Sequence, residues 1–394
     1  MSQHLISHNA DLKRLRDEGY NVSIVHDHLV IRDIPYVKAN SEIAFGYLVT
    51  NLELQNNITQ KPQDHVMMFC GDYPCDHAGQ RLEKINANGA TPPGPELPVQ
   101  HRFSSKPQGG YADYHHKVTT YINILLGPAQ VINKDVTAKT YPTIRTTEEE
   151  SIFLYLDTAT SRAGITSANL KLELHSIALI GLGGTGSYIL DLVAKTPVKE
   201  IHLWDGDQFS QHNAFRSPGA ASPEDLDRKF AKVEYFAQLY SKFRRGIICH
   251  PVNVDNTNIH ELENIDFVFI SIDNGTARKN IIESLQKLNI PFIDVGMGLR
   301  MKDSTIAGGL RVTTVTNEKA DHVAHSISFG DYKGENVYEQ NIQVADLNAL
   351  NATLAVMRWK KQFGFYVEGE KEHQTLFTID GNLLVNDEKL CPNS

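Results

Sequence analysis

Cysteine is scarce in this sequence of 394 residues, which contains only Cys70, Cys75, Cys249 and Cys391. Four thiols are too few to build a disulfide scaffold in a chain of this length, so in a reducing compartment we expect free thiols or metal ligands. His65 and His77 flank the first two cysteines and have the chemistry of metal ligands. The spacing of these four residues is not that of a common zinc finger, so zinc is a minor alternative here.

Two further absences exclude classes of protein. No run approaches the roughly 18 to 20 apolar residues that a membrane span needs, and the N-terminus lacks the features of a signal peptide, so we expect a cytoplasmic protein with no membrane partner. Basic side chains number 38 against 47 acidic ones, a formal net charge of -9. Because an acidic chain repels a nucleic-acid backbone, we expect a small molecule or another protein as partner and no nucleic acid.

The pattern of the chain changes near residue 150. Before it, β-rich stretches and one short helical signal predict a smaller α+β domain over residues 1–150. From there, apolar strands alternate with helical stretches, which is typical of a Rossmann-like doubly wound α/β sheet, and we assign residues 151–394 to it. The stretch TIAGGLRVTTVT predicts an antiparallel strand at the edge of this sheet, and a hairpin is predicted at about 375–386.

Two helices of the second domain are predicted by periodicity. One is expected around 228–242, and a longer one from about Asn341 to Lys361. In the longer helix the apolar residues that share one face, and that we therefore expect to be buried, are Leu347, Leu350, Leu354 and Met357.

Residues 177 to 187 read IALIGLGGTGS, a predicted strand that enters a helix through Gly181, Gly183, Gly184 and Gly186. Such a loop directs backbone N–H groups at a helix N-terminus toward a phosphate, although a turn that needs glycine only for packing is the alternative. Asp205 ends the next predicted strand, where an acid binds the ribose in dinucleotide-binding domains. Glycines and Asp205 together do not distinguish NAD from ATP.

The stretch after Asp205 favours ATP, because a triphosphate requires fixed cations and a hydride-transfer enzyme does not need them there. The residues with suitable chemistry are Asp207, Asn213, Arg216, Lys229 and Lys232. Taken singly, the two lysines are also typical of a solvated helix face and the arginine of a surface ion pair.

Asp273 follows the fourth predicted strand of the second domain, at the sheet edge where ligands of such domains collect. Its carboxylate is suited to magnesium or to the α-phosphate, and Asn274 and Arg278 stand beside it. Capping of the next helix by Asp273 is the alternative interpretation.

The motifs GxGGxGS, DxDxxxxxNxxR, a following KVE and SxDNxxxR resemble, in order and spacing, those of the ThiF family, the bacterial relatives of ubiquitin-activating enzymes. The resemblance covers roughly residues 155–362. It implies an ATP-dependent adenylyltransferase. A ubiquitin-like or sulfur-carrier protein with a free C-terminal glycine would present its carboxylate to the α-phosphate of MgATP, and a conjugating partner in a bacterial ubiquitin-like pathway would receive the activated carrier.

The resemblance also implies roles for single residues. The glycine loop would hold the α-phosphate, Asp205 the ribose, and Asp273 the magnesium ion, with Asp207 and Asn274 close to the nucleotide. The β- and γ-phosphates would be held by Asn213, Arg216 and Lys232.

Two assignments within the resemblance are less direct. Lys232 is preferred to Lys229 because the lysine of the family tends to precede a Val-Glu pair, although its spacing from Arg216 is slightly long. Members are often homodimers in which an arginine upstream of the glycine loop reaches the neighbouring ATP site, and Arg162 stands at about that place. A buried or capping arginine fits Arg162 equally well.

The sequence departs from the family in its cysteines, since none lies between Asn253 and Leu390. Many relatives carry two CxxC pairs for structural zinc in this part, and ubiquitin-activating enzymes carry a cysteine that takes the carrier as a thioester. The sequence therefore argues against a structural zinc and places the thioester step in doubt. Cys391 lies in a C-terminus that is expected to fray, and Cys249 in a buried strand.

Three alternatives therefore remain for the acceptor of the activated carrier: a conjugating partner, a small thiol and a hydroxyl group of the chain. The hydroxyl candidates lie in the predicted crossover segment, about 297–340, and are Ser326 and Ser328, with His322 or His325 as base. The N-terminal domain is predicted to dock the carrier or a conjugating protein. Alternatives for the whole chain are sulfur-carrier activation in cofactor biosynthesis, an inactive partner-binding scaffold and, least favoured, a NAD-dependent oxidoreductase.

Overall fold

The computed structural model describes residues 2–87, 89, 97–330 and 342–389. The chain divides into two compact units. The first comprises Met1–Ser151 and Tyr155–Arg162, and the second Ile152–Leu154 and Ala163–Ser394.

The first unit is built on a five-stranded antiparallel sheet in the order β1-β2-β3-β6-β7. Its helices and strands are α1 (Ser2–His8), α2 (Ala10–Asp17), β1 (Asn21–Val25), β2 (His28–Val37), β3 (Ile43–Asn51), β4 (Leu54–Gln55), β5 (Ile58–Thr59), β6 (Val66–Cys70), β7 (His101–Ser104), α3 (Tyr114–Ile132) and α4 (Thr158–Arg162).

Helix α3 provides much of the core of this unit. Its N-cap Asp113 accepts a hydrogen bond from the backbone N–H of His116 at 2.7 Å, which satisfies a donor of the first turn. Val118, Ile122 and Leu125 recur at helical spacing and are fully buried. An antiparallel sheet with a packed helix confirms the predicted α+β domain.

The second unit contains an eight-stranded sheet in the order β10-β9-β8-β11-β12-β13-β14-β15. Its elements are α5 (Thr166–Asn169), β8 (Ser176–Ile180), α6 (Gly184–Val193), β9 (Glu200–Trp204), α7 (Gln211–Ala214), α8 (Pro223–Asp227), α9 (Lys232–Tyr240), β10 (Ile247–His250), β11 (Phe267–Ile270), α10 (Gly275–Lys287), β12 (Phe292–Lys302), β13 (Thr305–Val315), α11 (Val323–Ser326), α12 (Ala345–Gln362), β14 (Gln374–Thr378) and β15 (Leu383–Asp387).

The first five strands of this sheet are parallel and the last three antiparallel. Every residue of β8 and β11 is buried, as expected of central strands covered on both faces. One face packs against α6, α9 and α12, with Ile189, Phe236 and Trp359 in its core, and the other packs against α10 and α11. The predicted doubly wound sheet is confirmed, with β14 and β15 as the predicted hairpin. β13 is antiparallel as predicted, but it does not lie at the edge of the sheet, because β14 and β15 pair beyond it.

Two helix predictions need correction. The helix expected at 228–242 begins only at Lys232, because Lys229 has a left-handed backbone (φ 49°) that ends the preceding turn. The long helix begins at Ala345, and its predicted start, Asn341, lies outside the described residues.

The predicted buried face of α12 is buried only in part. Leu347, Leu350 and Leu354 are half-buried and Met357 is 44% exposed, whereas Asn348, Asn351, Ala355 and Trp359 are buried. At Asn348 the reason is close packing against the glycine-rich start of α6, where an amide fits and a leucine does not. Within the described ranges, no helix combines the length and apolar character needed to cross a membrane.

Candidate nucleotide site

The glycine loop connects β8 to α6, and its four glycines have different physical roles. Gly181 has a φ of 89°, and a Cβ there would lie 2.4 Å from the carbonyl oxygen of Ser271. A Cβ on Gly186 would lie 2.0 Å from the Gly181 carbonyl oxygen, and one on Gly184 would lie 1.9 Å from Nδ2 of Asn348. Packing therefore requires these three glycines.

Gly183 differs from the other three, because a Cβ there would meet no described atom within 4 Å. It is the N-cap of α6, where the N–H groups of the first turn have no intrahelical acceptor. The packing alternative thus explains Gly181, Gly184 and Gly186 but not Gly183. The open side of the loop is the place where an anion can approach the helix N-terminus.

Asp205 follows β9 directly, is 7% exposed, and ties the glycine loop to the next strand. Its Oδ2 accepts a hydrogen bond from the backbone N–H of Leu182 at 2.7 Å, and its Oδ1 accepts one from the N–H of Asp207 at 2.9 Å. The carboxylate is thereby fixed beside the loop, at the carboxyl end of the parallel strands where such sheets bind ligands.

Lys232, the first residue of α9, is also buried, and its ammonium group contacts both aspartates. Nζ lies 3.3 Å from Oδ1 of Asp205 and 2.6 Å from Oδ2 of Asp207. The structure thus brings Lys232 to the carboxylate predicted to bind the ribose, while Lys229 is exposed and precedes the helix. The ammonium group neutralises these two carboxylates, and its three N–H donors allow a contact with an anion in addition.

Asn213 lies within the short helix α7, and Arg216 follows two residues after the end of that helix. Oδ1 of Asn213 accepts a hydrogen bond from the backbone N–H of Ser210 at 2.9 Å, which closes a capping box. Nδ2 of Asn213 and Nε of Arg216 are buried donors with no hydrogen-bond partner among the described residues. A buried donor without a partner costs on the order of 1–3 kcal/mol, so both are suited to receive an anionic ligand.

Asp273 stands three residues beyond the end of β11 and is exposed. The N-cap of α10 is the next residue, Asn274, whose Oδ1 accepts a hydrogen bond from the N–H of Ala277 at 2.8 Å. Asn274 therefore caps α10 with its side-chain oxygen. Asp273, one residue before this cap, is an exposed carboxylate beyond the carboxyl end of β11.

Sequence reasoning missed Asp294, a fully buried carboxylate in β12. Arg278 approaches it with Nε 3.3 Å from Oδ1, and Arg311 forms an ion pair with the other oxygen. Arg278 also donates to the carbonyl oxygens of Ile272 and Ser328, so it joins the Asp273 loop to the later part of the predicted crossover segment. The signal in the sequence was a lone acid within the otherwise apolar run IPFIDVG.

The serine candidates are placed differently from each other. Ser326 is 6% exposed and donates its hydroxyl hydrogen to Oε1 of Gln374 at 2.9 Å, while Ser328 is exposed. Nε2 of His322 lies 2.9 Å from the carbonyl oxygen of Thr314, and Nε2 of His325 lies 2.8 Å from Glu388.

Nε2 of each histidine thus bonds a group other than these serines, and the pairing of a histidine base with a serine stays a prediction. Burial also lowers the pKa of His322, which weakens it as a base. Residues 331–340 of the predicted crossover segment lie outside the described residues.

The remaining predicted residues lie elsewhere. Arg162 ends α4 in the first unit, with its guanidinium carbon 5.3 Å from the centre of the Tyr141 ring. Cys75 is buried, and its Sγ lies 3.4 Å from the Tyr73 carbonyl oxygen. Among described residues there is no group of three or more His, Cys, Asp or Glu side chains placed to hold a metal ion. Cys391 lies outside the described residues.

Comparison with known proteins agrees with this architecture. Residues 159–327 match the ThiF family, and residues 10–158 match DUF6791, a domain of unknown function. A Saccharomyces cerevisiae protein named ubiquitin-activating enzyme E1-like is 27% identical over 131 residues, which are 32% of this chain and 20% of that protein. The Mus musculus ubiquitin-like modifier-activating enzyme 5 is 23% identical over 150 residues, 35% of this chain and 37% of that protein.

The chain thus spans well under half the length of both curated relatives. Among solved structures, E. coli MccB with ATP is similar at 20% identity and a TM-score of 0.43, covering 57% of this chain and 66% of that one. PaaA is similar at 16% identity and a TM-score of 0.44, covering 56% of this chain and 75% of that one. Residues 159–327 thus form a ThiF family domain, and a domain of unknown function precedes it.

Proposed function

We propose that this chain activates the C-terminal carboxylate of a ubiquitin-like protein by ATP-dependent adenylation, for transfer to a conjugating partner in a bacterial ubiquitin-like pathway. The observation that carries the proposal is the pair of unpartnered buried donors on Asn213 and Arg216. They belong to the segment between Asp205, which is tied to the glycine loop, and Lys232. Fixed donors and a cation in that place fit the phosphates of a nucleoside triphosphate better than those of a dinucleotide.

The residues of the site would have separate roles in binding the nucleotide and in stabilising charge. When bound, MgATP supplies the adenylyl group and the pyrophosphate leaving group. The N–H groups at the start of α6 would hold the α-phosphate, Asp205 would accept a hydrogen bond from the ribose, and Asn213, Arg216 and Lys232 would stabilise the charge that develops on the pyrophosphate. Asp273 would bind the magnesium ion, since carboxylate oxygens are its preferred protein ligands.

The remaining parts of the proposal concern partners. The N-terminal domain would dock the carrier or the conjugating protein, and the chain would act as a homodimer in which Arg162 reaches the neighbouring ATP site. The stacking of Arg162 on Tyr141 supports a defined position for this side chain.

The proposal is tested by exchange of labelled pyrophosphate into ATP. We expect the full chain to catalyse exchange only when ATP, Mg²⁺ and a ubiquitin-like protein ending in an exposed glycine are all present. The matched control is the same carrier without its terminal glycine, which changes the carboxylate that is presented. Three results would each contradict the proposal. They are an equal exchange rate with the carrier that lacks its terminal glycine, no exchange with any of a panel of such carriers, and reduction of NAD by the chain.

The unequal roles of the glycines give a second test. Gly183→Ala adds a methyl group in open space at a φ of -67°, so we expect the free energy of unfolding to change by less than about 0.5 kcal/mol. The methyl group would occupy the approach to the α6 N-terminus, and we expect the Kd for MgATP to rise about tenfold. Calorimetric titration measures this rise.

Gly184→Ala is the contrasting variant. It places a Cβ 1.9 Å from the buried Asn348 amide, and we expect it to lower the free energy of unfolding by about 1–3 kcal/mol. Chemical denaturation measures the loss. A Gly183→Ala chain that binds MgATP as tightly as wild type would show that the open side of the loop does not face the phosphate.

A further inference from the structure

A buried asparagine of α12 connects two segments of the proposed site that are far apart in sequence. Oδ1 of Asn348 accepts a hydrogen bond from the Thr185 hydroxyl, in the first turn of α6, at 3.0 Å. Its Nδ2 donates to the carbonyl oxygen of Arg216 at 3.2 Å. The side chain of Asn348 is fully buried, and it occupies the space that the absent Cβ of Gly184 leaves open.

The interior of a helix is an unfavourable place for asparagine, and burying its amide is favourable only if the amide finds partners. α12 buries a second asparagine, Asn351, three residues further on. Nδ2 of Asn351 donates to the carbonyl oxygen of Gly296 in β12 at 3.1 Å. The two residues share type, helix and burial but differ in what they hold, so Asn351 is a matched control for Asn348.

The two bonds of Asn348 act on different kinds of group. On the α6 side it binds a side-chain hydroxyl, while the backbone of the glycine loop is held independently, by the hydrogen bonds from the N–H of Leu182 to Asp205 and from the N–H of Gly181 to the carbonyl oxygen of Trp204. On the other side it binds the main-chain carbonyl group of Arg216 itself. Loss of the amide therefore releases the backbone from which the arginine side chain extends, and leaves the glycine loop in place.

We infer that Asn348 is a positioning residue that fixes Arg216 at the distance from the glycine loop that the β- and γ-phosphates require. This inference rests on the proposed nucleotide site. Asn348 acts through Arg216 and touches no reacting atom, so its contribution is to the binding of a triphosphate and not of a monophosphate. The ratio of the affinities for MgATP and AMP reports this role, which a general loss of stability would not change.

The test is calorimetric titration of the full chain with MgATP and with AMP, at a temperature where denaturation curves show every variant to be folded. We expect Asn348→Ala to weaken MgATP binding about tenfold and AMP binding by less than about twofold. Asn351→Ala is expected to change both affinities by less than about twofold. In an Arg216→Ala background, Asn348→Ala should cause no further loss, because residues that act through one another are not additive.

Three results would overturn the inference: equal weakening of MgATP and AMP, the same pattern in Asn351→Ala, or an additive effect in the Arg216→Ala background. Asn348→Ser, which is small and polar, replaces Asn348→Ala if the latter does not fold. If the wild type binds MgATP but shows no carrier-dependent exchange, the proposed function fails. The affinities of the Asn348→Ala chain for MgATP and AMP then still decide the inference about Asn348. A wild type that binds neither nucleotide overturns both.

Discussion

Replacing Asp273 with asparagine is expected to reduce carrier-dependent pyrophosphate exchange on the order of 100-fold, because a bound metal ion contributes several kcal/mol to the stabilisation of charge during phosphoryl chemistry. The amide has the size of the carboxylate but lacks its charge, so the variant isolates the electrostatic contribution. Exchange should recover partly at high Mg²⁺ concentration, since a weakened ligand raises the concentration at which the ion binds. The measurement is the exchange rate as a function of Mg²⁺ concentration.

The variant changes an exposed side chain and keeps the side-chain cap of α10, which is formed by the next residue, Asn274. Asp380→Asn, an exposed aspartate in the turn between β14 and β15, is the matched control and should exchange at the wild-type rate. Equal rates for Asp273→Asn and wild type at all Mg²⁺ concentrations would remove Asp273 from the proposed metal site.

The fold of the second unit could be predicted because its signals are local. Continuous apolar runs at 177–180 and 267–270 indicate strands buried on both faces, and the helical stretches between them require a parallel sheet. The glycine loop was recognisable for the same reason, since a strand, a glycine cluster and a helix follow one another within a few residues. Position in a doubly wound sheet then places Asp205 and Asp273 at one edge.

The buried polar groups could not be predicted, because their partners are distant in sequence. Asn348 is 163 residues from Thr185 and 132 from Arg216. Periodicity selected the leucine face of α12 as the core, although the face that packs on α6 is the one that carries the asparagines. Asp294 could not be predicted for the same reason, since only the folded chain shows that two arginines form ion pairs with its carboxylate.

Local geometry that spacing cannot reveal bears on some alternatives in the sequence. The sequence favoured Lys232 but left Lys229 open, and it left Asp273 open between a magnesium ligand and a helix cap. The left-handed backbone of Lys229 and the contact of Lys232 with Asp205 separate the lysines. The hydrogen bond from Ala277 identifies Asn274 as the cap and distinguishes it from Asp273. Whether Lys232 and Asp273 act on a nucleotide stays a prediction for the exchange measurements.

Arg244→Met is expected to lower the free energy of unfolding of the second unit by about 3 kcal/mol, the upper end of the range for losing hydrogen bonds to a charged donor and leaving buried acceptors without partners. Arg244 is 1% exposed and lies at the C-terminal end of α6. Its guanidinium group donates to the carbonyl oxygens of Ala194 at 3.1 Å and Val198 at 2.5 Å, and Nε donates to that of Arg245 at 2.9 Å.

The size of this effect follows from the role of the cation. The last carbonyl groups of a helix have no intrahelical donor, and a positive charge at this end also interacts favourably with the helix dipole. Burial lowers the pKa of Arg244 to about 10, so the group is still a cation at pH 7. Methionine fills part of the space but donates nothing, and it would leave buried carbonyl oxygens without partners.

Tryptophan fluorescence during urea denaturation measures this loss in the second unit alone, because both tryptophans of the chain, Trp204 and Trp359, lie there. Lys242→Met, at an exposed site two residues before Arg244, should change the free energy of unfolding by less than about 0.5 kcal/mol. Arg244→Lys should be intermediate, since an ammonium group keeps the charge but not the planar set of donors. A loss below about 1 kcal/mol for Arg244→Met would mean that water replaces the guanidinium group at these carbonyls, and that the end of α6 opposite the glycine loop is less rigid than its contacts indicate.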